Sequence, residues 1–396
     1  MIKKSAIKKV FMLASVCLML FFVGRAGETA EKPPFSLLLI SSFYGGSYQG
    51  LTGLDRYIFN YAQFLKSKGL PVVVVVSESV AIKQSLEQVG VPCFSWKFQD
   101  KKSAVKVRAF KQFIKNIIVQ HAVTHVHCNM QQELHGVHAV IKQHKLPLFY
   151  THHYQYSFPI DKYCYLSGVC VVDKFLVDKL AKKASVPVVF TPPFFDDVAL
   201  RQRQHMPQKS VNPDNNDAPV ITMVGNMYHD LKAKNYPLLI DAVDKLVHKY
   251  KQPCRVLIVG DGPTRKHIEQ LVQQKRLTKQ ISFLGLRSDV PAILAQSDIV
   301  VLTSKHEGFG MVLAEANMLG RPVIGPRGTG VEGVIVDGLN GLLFDNGSVD
   351  DFCKKCLMLL NNPVERLAMG LRAKTYADQH FSNEYIFAQM KSLYAI

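Results

Sequence analysis

Short apolar runs bounded by glycine, proline and polar clusters alternate along the chain with amphipathic stretches. This alternation is typical of parallel strands joined by crossover helices. In the first half, the runs predict strands at Phe35–Ser41, Pro71–Val76, Thr124–His127, Pro147–Tyr150 and Val186–Thr191. In the second half, they predict strands at Val220–Gly225, Arg255–Gly260, Ile281–Leu284, Ile299–Leu302 and Pro322–Gly325. We therefore expect an α/β protein with two doubly wound, Rossmann-like domains facing each other across a cleft.

The domain organisation follows from a break between the two halves. A chain of 396 residues is long enough for two domains, each with its own core. Residues 197–219 are polar, rich in turn-forming residues and almost free of aliphatic side chains after Leu200, which predicts a linker. The first domain then covers residues 35–196 and the second covers residues 220–380, followed by a last helix within residues 381–396.

The first 34 residues differ from the rest of the chain. Four lysines precede the apolar run Val10–Val23, and small residues follow it, which is the layout of a secretory signal peptide or a short membrane anchor. The run is shorter than a comfortable membrane span. Three interpretations stay open: an anchor with the enzyme retained inside the cell, a true start downstream, or an enzyme that works in an unusual compartment.

The charge is unevenly distributed. The net charge is +17, and residues 1–200 alone carry 24 Lys and Arg against 12 Asp and Glu. Such an excess favours anionic partners, for example phospholipid or a phosphorylated acceptor. With a single Trp and no recognisable nucleic-acid module, the sequence gives no support for binding nucleic acid.

Neither the cysteines nor the histidines predict a metal site. The eight cysteines are scattered, and Cys353 and Cys356 lie in a predicted helix at Val349–Leu360 without a second pair to complete a zinc site. Eight of the 14 histidines fall between positions 121 and 153, but His125 and His127 share a predicted strand that has no carboxylate at ligand spacing. We expect reduced, structural thiols and no metal.

The most informative local pattern is the segment from Glu307 to Glu315. It combines two carboxylates with a Gly-Phe-Gly turn, placed directly after the apolar run Ile299–Leu302 and before a predicted helix. The glycines Gly308 and Gly310 let backbone amides approach a ligand, and the helix start directs its positive dipole end there, so the ligand should be anionic. The two carboxylates suit hydroxyl groups. A nucleotide-sugar carries both kinds of group.

This Glu-x7-Glu spacing resembles the donor-site motif of the retaining glycosyltransferases of family four (glycosyl transferases group 1), which have the GT-B fold. The resemblance covers nearly the whole second half. It rests on Val224-Gly225-Asn226, Lys234, Leu238–Ala242, Val259–Pro263, Phe283–Gly285, Asp289-Val290, Ser297-Asp298, Arg321–Gly325 and Asp337–Gly341. The first half matches more loosely, through Thr52–Asp55, Lys68-Gly69 and Thr151–His153.

The resemblance implies roles for four residues around the donor. Glu315 would accept hydrogen bonds from the ribose, with a helix-dipole partner as the alternative, and Glu307 would accept them from the sugar near the reacting carbon. Lys234 would neutralise the departing diphosphate, with Lys232 as its rival. Gly53 resembles the glycine whose amide approaches the donor phosphate, and Gly45-Gly46 is the rival pair.

Three further positions complete the predicted site. His153 matches the family's histidine on the acceptor side of the reacting centre. Phe309 belongs to the donor turn, which its ring is expected to shape without a chemical role. Asn226 occupies a donor-side position where the family usually has an arginine, and the loss of that cation bears directly on diphosphate affinity and on catalysis.

The resemblance implies a metal-independent enzyme that transfers a hexosyl unit from a nucleotide-sugar to a glycan, lipid or other acceptor hydroxyl held by the first domain. Two alternatives stay open: a non-catalytic GT-B scaffold that binds nucleotide or glycan, motivated by Asn226, and a nucleotide-sugar epimerase-like enzyme. The family also sends its C-terminal helix, here around Asn383–Tyr394, back to the first domain. A hydroxyl acceptor and a nucleotide-sugar donor are then the expected partners, with no cofactor.

A predicted basic helix at Lys101–Val119 bears on location. Lys101, Arg108, Lys111 and Lys115 fall on one face, and Val107, Phe110, Ile114 and Ile117 are expected on another. Such a helix either docks on an anionic membrane surface or is an ordinary packed helix with a solvated basic side. We favour membrane association at the cytoplasmic face, with secretion directed by residues 1–34 as the alternative.

Overall fold

The computed structural model describes residues 35–41, 53–77, 80–97, 104–153, 158–196, 200, 202, 218–227 and 234–396. Several predictions lie outside these residues: the segment 1–34, Gly45-Gly46, Lys101, Lys232 and most of the linker. Phe35–Ile396 forms one compact unit, so the domain and linker boundaries remain predictions.

Thirteen strands in the described residues form two parallel sheets. The first sheet has the order β3-β2-β1-β4-β5-β6-β7, and the second has the order β10-β9-β8-β11-β12-β13. The strands are β1 Leu37–Ser41, β2 Val72–Val76, β3 Cys93–Ser95, β4 His125–Cys128, β5 Leu148–His152, β6 Gly168–Val171, β7 Val188–Phe190, β8 Val220–Val224, β9 Arg255–Val259, β10 Ile281–Gly285, β11 Ile299–Val301, β12 Val323–Pro326 and β13 Gly341–Phe344.

The described α-helices connect and cover these strands. They are α1 Gly53–Ser67, α2 Val80–Gln88, α3 Ala104–Gln120, α4 Leu134–His144, α5 Lys174–Ala181, α6 Tyr236–Asp244, α7 Arg265–Gln274, α8 Val290–Ala295, α9 Met311–Met318, α10 Val349–Leu360, α11 Pro363–His380 and α12 Asn383–Tyr394. In both sheets the strand order reverses beside the first strand of the half, the arrangement of a doubly wound fold. The predicted fold class is confirmed.

All ten predicted strands are present, with ends that differ by up to two residues. Three strands were missed: β3, β6 and β13. Each has only three or four residues, and β6 and β13 begin with glycine, which is rare in strand interiors. The predicted helices at Val349–Leu360 and Asn383–Tyr394 are found with those bounds.

The central strands are buried on both faces, as expected for parallel sheets covered by helices. Along β1, Leu37 and Leu39 belong to the apolar cluster that includes α1, whereas Leu38 and Ile40 belong to the cluster on the opposite face, with α3 and α4. The strands therefore read as continuous apolar runs, and their positions were visible in the sequence.

The last helix, α12, packs against the first sheet beside β6 and β7. The buried Asn383 at its start accepts a hydrogen bond from the backbone N–H of Phe195 (2.9 Å) and donates one to the carbonyl of the same residue (2.5 Å). At its end, Tyr394 is 2% exposed among aromatic side chains of the first half. The last helix therefore contributes Tyr394 to the core of the first sheet.

The basic helix has one packed and one exposed side. Phe110, Ile114 and Ile117 on α3 are buried as predicted. Val107 was expected on that face but is exposed, because it lies one turn before the region where α3 packs against α4. Arg108, Lys111 and Lys115 are exposed.

Two further observations concern thiols and membrane spans. The seven cysteines in the described part of the chain are free, and six of them, including Cys353 and Cys356, are buried. Across the described ranges, no helix has both the length and the apolar character needed to cross a bilayer.

Candidate active site

The loop after β11 contacts the residues just before α6. Thr303 is fully buried, and its hydroxyl donates to the carbonyls of Lys234 (3.0 Å) and Asn235 (3.1 Å). Asn235 has a left-handed backbone (φ 51°), which turns the chain into α6. Thr303 therefore fixes Lys234 beside the loop that carries Glu307.

Lys234 and Glu307 form an ion pair. Nζ of Lys234 lies 2.7 Å from Oε2 of Glu307, and the hydroxyl of Ser304 donates to the same oxygen at 3.0 Å. The two charged side chains are 27% and 16% exposed, so the pair is shielded from bulk water but open to a ligand. An ammonium has three donors, and Lys234 can therefore keep Glu307 and still donate to a phosphate.

The Gly308-Phe309-Gly310 turn opens helix α9. Gly310 precedes the helix with φ +81°, a conformation that a side chain would strain. The ring of Phe309 is 3% exposed and packs near Phe195 and Phe381, so it anchors the turn from below, as its expected structural role requires. At the start of α9, the amide of Leu313 donates to the carbonyl of Gly310 (2.8 Å), and the positive end of the helix dipole is directed toward this turn.

Gly308 lies where the two halves meet. A Cβ built on it would stand 2.7 Å from the carbonyl oxygen of His153, at the carboxyl end of β5. On the other side, a Cβ on Gly330 would lie 1.9 Å from the carbonyl oxygen of Gly308, and the Gly330 amide donates to the carbonyl of Glu307 at 2.8 Å. The turn is therefore held between the two halves at a distance that glycine alone permits.

Asn226 follows β8 and is the chain neighbour of Gly225, which lies beside Lys234. The stem of Lys234 passes over Gly225, within 3.4 Å of a Cβ built there. Met227 is tied to the loop after β9, since its amide donates to the carbonyl of Asp261 at 3.0 Å. The half-buried Asn226 is thus held at the carboxyl end of the second sheet, where the sequence predicted it.

Glu315 lies in the second turn of α9 and is half-buried. Burial raises the pKa of its carboxyl group, and the positive charge of Arg56 opposes that shift. Arg56 belongs to the first turn of α1, in the first half of the chain, and its side chain is exposed. The carboxyl group of Glu315 is therefore influenced by a positive charge from the first half of the chain.

His153 is the acceptor-side candidate. Burial lowers its pKa to about 3, with smaller contributions from His152 and His127, so the ring is neutral. The side-chain amide nitrogen of Asn129 donates to the carbonyl of Ile40, which leaves its Oδ1 as an acceptor 3.2 Å from Nε2 of His153. Nε2 therefore carries the ring hydrogen, and Nδ1 is an acceptor.

Helix α1 borders the same region. Tyr57 packs edge-on against His153, with 4.9 Å between the ring centroids. Gly53 is the first residue of α1, and a Cβ built on it would meet nothing within 4 Å. Gly53 therefore begins a helix with room for a Cβ in the part of the chain that the structure describes, and its contact with the donor phosphate stays a prediction.

The structure brings several sequence candidates into contact. Lys234 pairs with Glu307, and the backbone of His153 meets Gly308. Sequence reasoning missed Arg56 and Asn129. The period-2 spacing of Asn129 after His127 places both on one face of β4, and Arg56 directly follows the Gly-Leu-Asp motif, so both positions carried a usable indication.

Comparisons with known proteins relate this chain to glycosyltransferases. Residues 206–376 match the family model described as glycosyl transferases group 1. The chain is 34% identical over 163 residues to N-acetyl-alpha-D-glucosaminyl L-malate synthase of Bacillus anthracis, which is 41% of this chain and 42% of that protein. The match thus spans less than half the length of this relative.

Solved structures resemble nearly the whole chain. A glycosyltransferase from Rickettsia africae ESF-5 has a TM-score of 0.78 at 17% identity and covers 91% of this chain and 97% of its own. Anabaena Alr3699/HepE, solved in complex with UDP, has a TM-score of 0.73 at 19% identity and covers 91% of this chain and 100% of its own. At these identities the likeness concerns the fold, which is GT-B.

Proposed function

We propose that this chain, whose second half belongs to the glycosyl transferases group 1 family, is a metal-independent, retaining glycosyltransferase that uses a nucleotide-sugar. One observation carries the proposal: the Gly308 turn, flanked by the Lys234–Glu307 pair, lies directly against the backbone of His153 from the other half. Donor-binding groups and the acceptor-side histidine therefore meet at a single point.

The donor side divides into three kinds of contact. Lys234, Gly53 and the amides after Gly308 provide positive charge and N–H donors for a diphosphate. Glu307 accepts hydrogen bonds from hydroxyls of the sugar, and Glu315 accepts them from the ribose. Oriented donors of this kind act most strongly where charge grows during the reaction, which here is the departing diphosphate.

The proposed reaction needs no protein base. The bond between the anomeric carbon and the diphosphate oxygen breaks, and a bond from that carbon to the acceptor oxygen forms on the same face. The acceptor proton passes to the departing diphosphate, so configuration is retained and the charges balance. His153 is neutral, with an acceptor nitrogen at Nδ1, and is suited to orient a hydroxyl without taking its proton.

The transferred unit and the acceptor are proposed at the level of class. We propose a hexosyl unit and an acceptor hydroxyl of a glycan, a lipid or another molecule. The name of the Bacillus anthracis relative contains a glucosaminyl unit, and the Anabaena protein was solved with UDP, which makes UDP-sugars the first donors to test.

A screen of nucleotide-sugars by thermal shift, followed by transfer of the labelled sugar, tests this function. We expect stabilisation by one nucleotide, and an α-linked product from an α-linked donor, identified by the coupling constant of its anomeric proton. Inversion would contradict the retaining mechanism. Binding without transfer or hydrolysis would favour the scaffold, and release of an epimer would favour the epimerase-like alternative.

Asn226→Arg tests the main departure from the family. If the missing cation limits the protein, the substitution should strengthen UDP binding, with a gain that falls as salt rises. Asn226→Gln is the matched control, because it lengthens the side chain without adding charge. An unchanged or weaker affinity in the arginine variant would mean that Arg56 or another cation already serves the diphosphate.

We also propose that an anionic membrane surface presents the acceptor. The exposed side of α3 carries Arg108, Lys111 and Lys115 between the exposed apolar residues Val107 and Val119. Each cation near such a surface contributes on the order of 1 kcal/mol. Protein starting near Pro33 should bind vesicles of phosphatidylserine and phosphatidylcholine and dissociate as salt rises.

A charge-reversal variant tests this surface. Lys111→Glu combined with Lys115→Glu should abolish vesicle binding and leave UDP affinity intact. Lys354→Glu combined with Lys355→Glu, on α10 of the second half, removes the same charge elsewhere and serves as the control. If the truncated protein does not bind the vesicles at low salt, α3 is an ordinary packed helix with a solvated basic side and does not dock on membranes.

A further inference from the structure

A row of side chains in the first sheet connects the last helix to the candidate active site. Successive residues of a strand point to opposite faces, so His127 and Asn129 on and after β4 share a face with Thr151 and His153 on and after β5. The registers of β4 and β5 pair His127 with Phe149 and Cys128 with Tyr150. Along its own strand, His127 comes two residues before Asn129, and Thr151 comes two residues before His153. His127 and Thr151 are therefore farther from the carboxyl end of the sheet than the other two.

Hydrogen bonds join this row to α12. The hydroxyl of Tyr394 lies 2.6 Å from Nδ1 of His127 and 2.7 Å from the hydroxyl of Tyr61. Nε2 of His127 lies 2.6 Å from the hydroxyl of Thr151, which lies 3.4 Å from the hydroxyl of Tyr57. All five side chains are buried.

The chemistry of these groups gives the series of hydrogen bonds a defined order of donors and acceptors. Burial lowers the pKa of His127 to about 3 and raises the pKa values of the three tyrosines, so every member is neutral. A neutral imidazole has one donor and one acceptor nitrogen, so a hydrogen bond on one side fixes the polarity of the other. Removing the Tyr394 hydroxyl therefore affects His127 and Thr151 as well.

At its other end, this series of hydrogen bonds reaches the proposed reacting centre through Tyr57. Tyr57 packs edge-on against His153 at 4.9 Å with an interplanar angle of 78°. His153 is held on its other side by Asn129. The orientation of His153 therefore depends on the position of Tyr57, which is hydrogen-bonded to Thr151.

We propose that Tyr394 is a positioning residue whose hydroxyl, acting through His127, Thr151 and Tyr57, sets the orientation of His153. This inference rests on the proposed function and deepens it. The C-terminal helix would do more than cover the first sheet, because its last turn completes the hydrogen bonding behind the acceptor side. The proposed donor groups Lys234, Glu307 and Glu315 are not members of this hydrogen-bond series.

The first variant is Tyr394→Phe, which removes one hydroxyl and keeps the ring that packs on Phe149. Tyr385→Phe is the matched control, since it is the same change on the same helix at a partly exposed side chain. Histidine ring nitrogens labelled with ¹⁵N report tautomer and environment without any need for turnover. The resonances of His127 and His153 are assigned by substituting each in turn with Gln.

We expect Tyr394→Phe to shift the ring resonances of both His127 and His153, and Tyr385→Phe to shift neither. Turnover should fall by about tenfold, because small misplacements of an orienting group reduce the rate steeply. The affinity for UDP should stay within about twofold of the wild type, because Lys234, Glu307 and Glu315 lie in the second half, away from this hydrogen-bond series. A merely structural residue would not separate turnover from UDP affinity.

Thr151 provides an independent pair of variants. Thr151→Val removes the central hydroxyl and should reproduce the Tyr394→Phe effect on His153, whereas Thr151→Ser keeps the hydroxyl and should behave like the wild type. The double variant Tyr394→Phe with Thr151→Val should lose little more than either single one, because both interrupt the same chain. This pair decides the matter if Tyr394→Phe does not fold.

The proposal is overturned if Tyr394→Phe and Thr151→Val change His127 and leave the His153 resonances at their wild-type values. It is also overturned if turnover and UDP affinity fall together. A wild-type protein that transfers no sugar would refute the proposed function, while the NMR comparison would still decide whether Tyr394 orients His153.

Discussion

The carboxyl ends of the two sheets build their parts of the site from different materials. In the second sheet, the turn after β11 presents backbone amides, held by close approaches at Gly308, Gly310 and Gly330. In the first sheet, the corresponding end presents side chains, with His153 fixed by Asn129 and Tyr57. The geometry of the second half depends on glycines, whose lack of a Cβ lets backbones approach closely. The geometry of the first half depends on hydrogen bonds between side chains that are distant in sequence.

This difference explains what each half can tolerate. A Cβ at Gly308 or Gly330 would overlap backbone atoms, and a Cβ at Gly310 would strain a backbone with positive φ. A side-chain network fails when a single hydroxyl is lost, because a buried partner is left unsatisfied. The following predictions separate the two, from the largest expected effect to the smallest.

Glu307→Gln and Lys234→Ala should each reduce turnover by about 10²- to 10³-fold, the range typical for the loss of one group that stabilises a transition state. For Glu307→Gln, UDP affinity should change far less, because the ligand groups that we propose for this carboxylate are hydroxyls of the sugar. Steady-state rates with the UDP-sugar and titration with UDP measure the two quantities. An equal loss in both would place Glu307 on the nucleotide instead.

Gly308→Ala should destabilise the protein by about 1–3 kcal/mol, since its Cβ would overlap the backbone of His153. Gly53→Ala should leave the free energy of unfolding unchanged or raise it by about 0.4–1 kcal/mol, because its Cβ meets open space. Urea unfolding measures both. If Gly53→Ala nevertheless weakens UDP binding, Gly53 lies against the donor; equal destabilisation by both variants would contradict the steric argument.

Acid should destabilise the first half through His127. Its pKa is about 3 in the folded protein and about 6.5 when unfolded, so the unfolded state takes up the proton first as pH falls. The contribution of His127 to stability is complete above pH 6.5, is lost between about pH 6.5 and 3, and should be smaller by about 2 kcal/mol at pH 5.

Urea midpoints at pH 7.5 and pH 5 test this linkage. His127→Gln should reduce the loss between the two pH values, although it lowers stability at both. His267→Gln changes an exposed histidine on α7 and should leave the loss as it is. The same pH-dependent loss in the His127 variant and the wild type would contradict the assignment.

Arg56 should shift the pH dependence of donor binding. The ionised carboxylate of Glu315 accepts hydrogen bonds better than the acid, so UDP affinity should fall as pH drops through the raised pKa of Glu315. Arg56→Ala removes the charge that opposes this rise, and the fall should therefore move to higher pH. UDP titrations at several pH values measure this shift, with Arg108→Ala as the control. Identical pH profiles for Arg56→Ala and the wild type would show that Arg56 does not affect the titration of Glu315.

The fold could be predicted where elements were long or uniformly apolar. The valine run of β2 and the helix Asn383–Tyr394 were found in this way. Strands such as β6 were missed, because four residues with an initial glycine do not establish a period. Within the site, the Glu307–Glu315 segment was recognisable because spacing and composition are local properties.

The sequence by itself determined ten of the thirteen described strands, in their order, and the position of the glycine turn, because these depend on neighbouring residues. Only the tertiary structure decided which residues meet. Tyr394 contacts Tyr61 across 333 positions and His127 across 267, and the charge of Arg56 acts on Glu315 from the other half. No local pattern encodes such pairs, since each is fixed by how two sheets and a returning helix pack together.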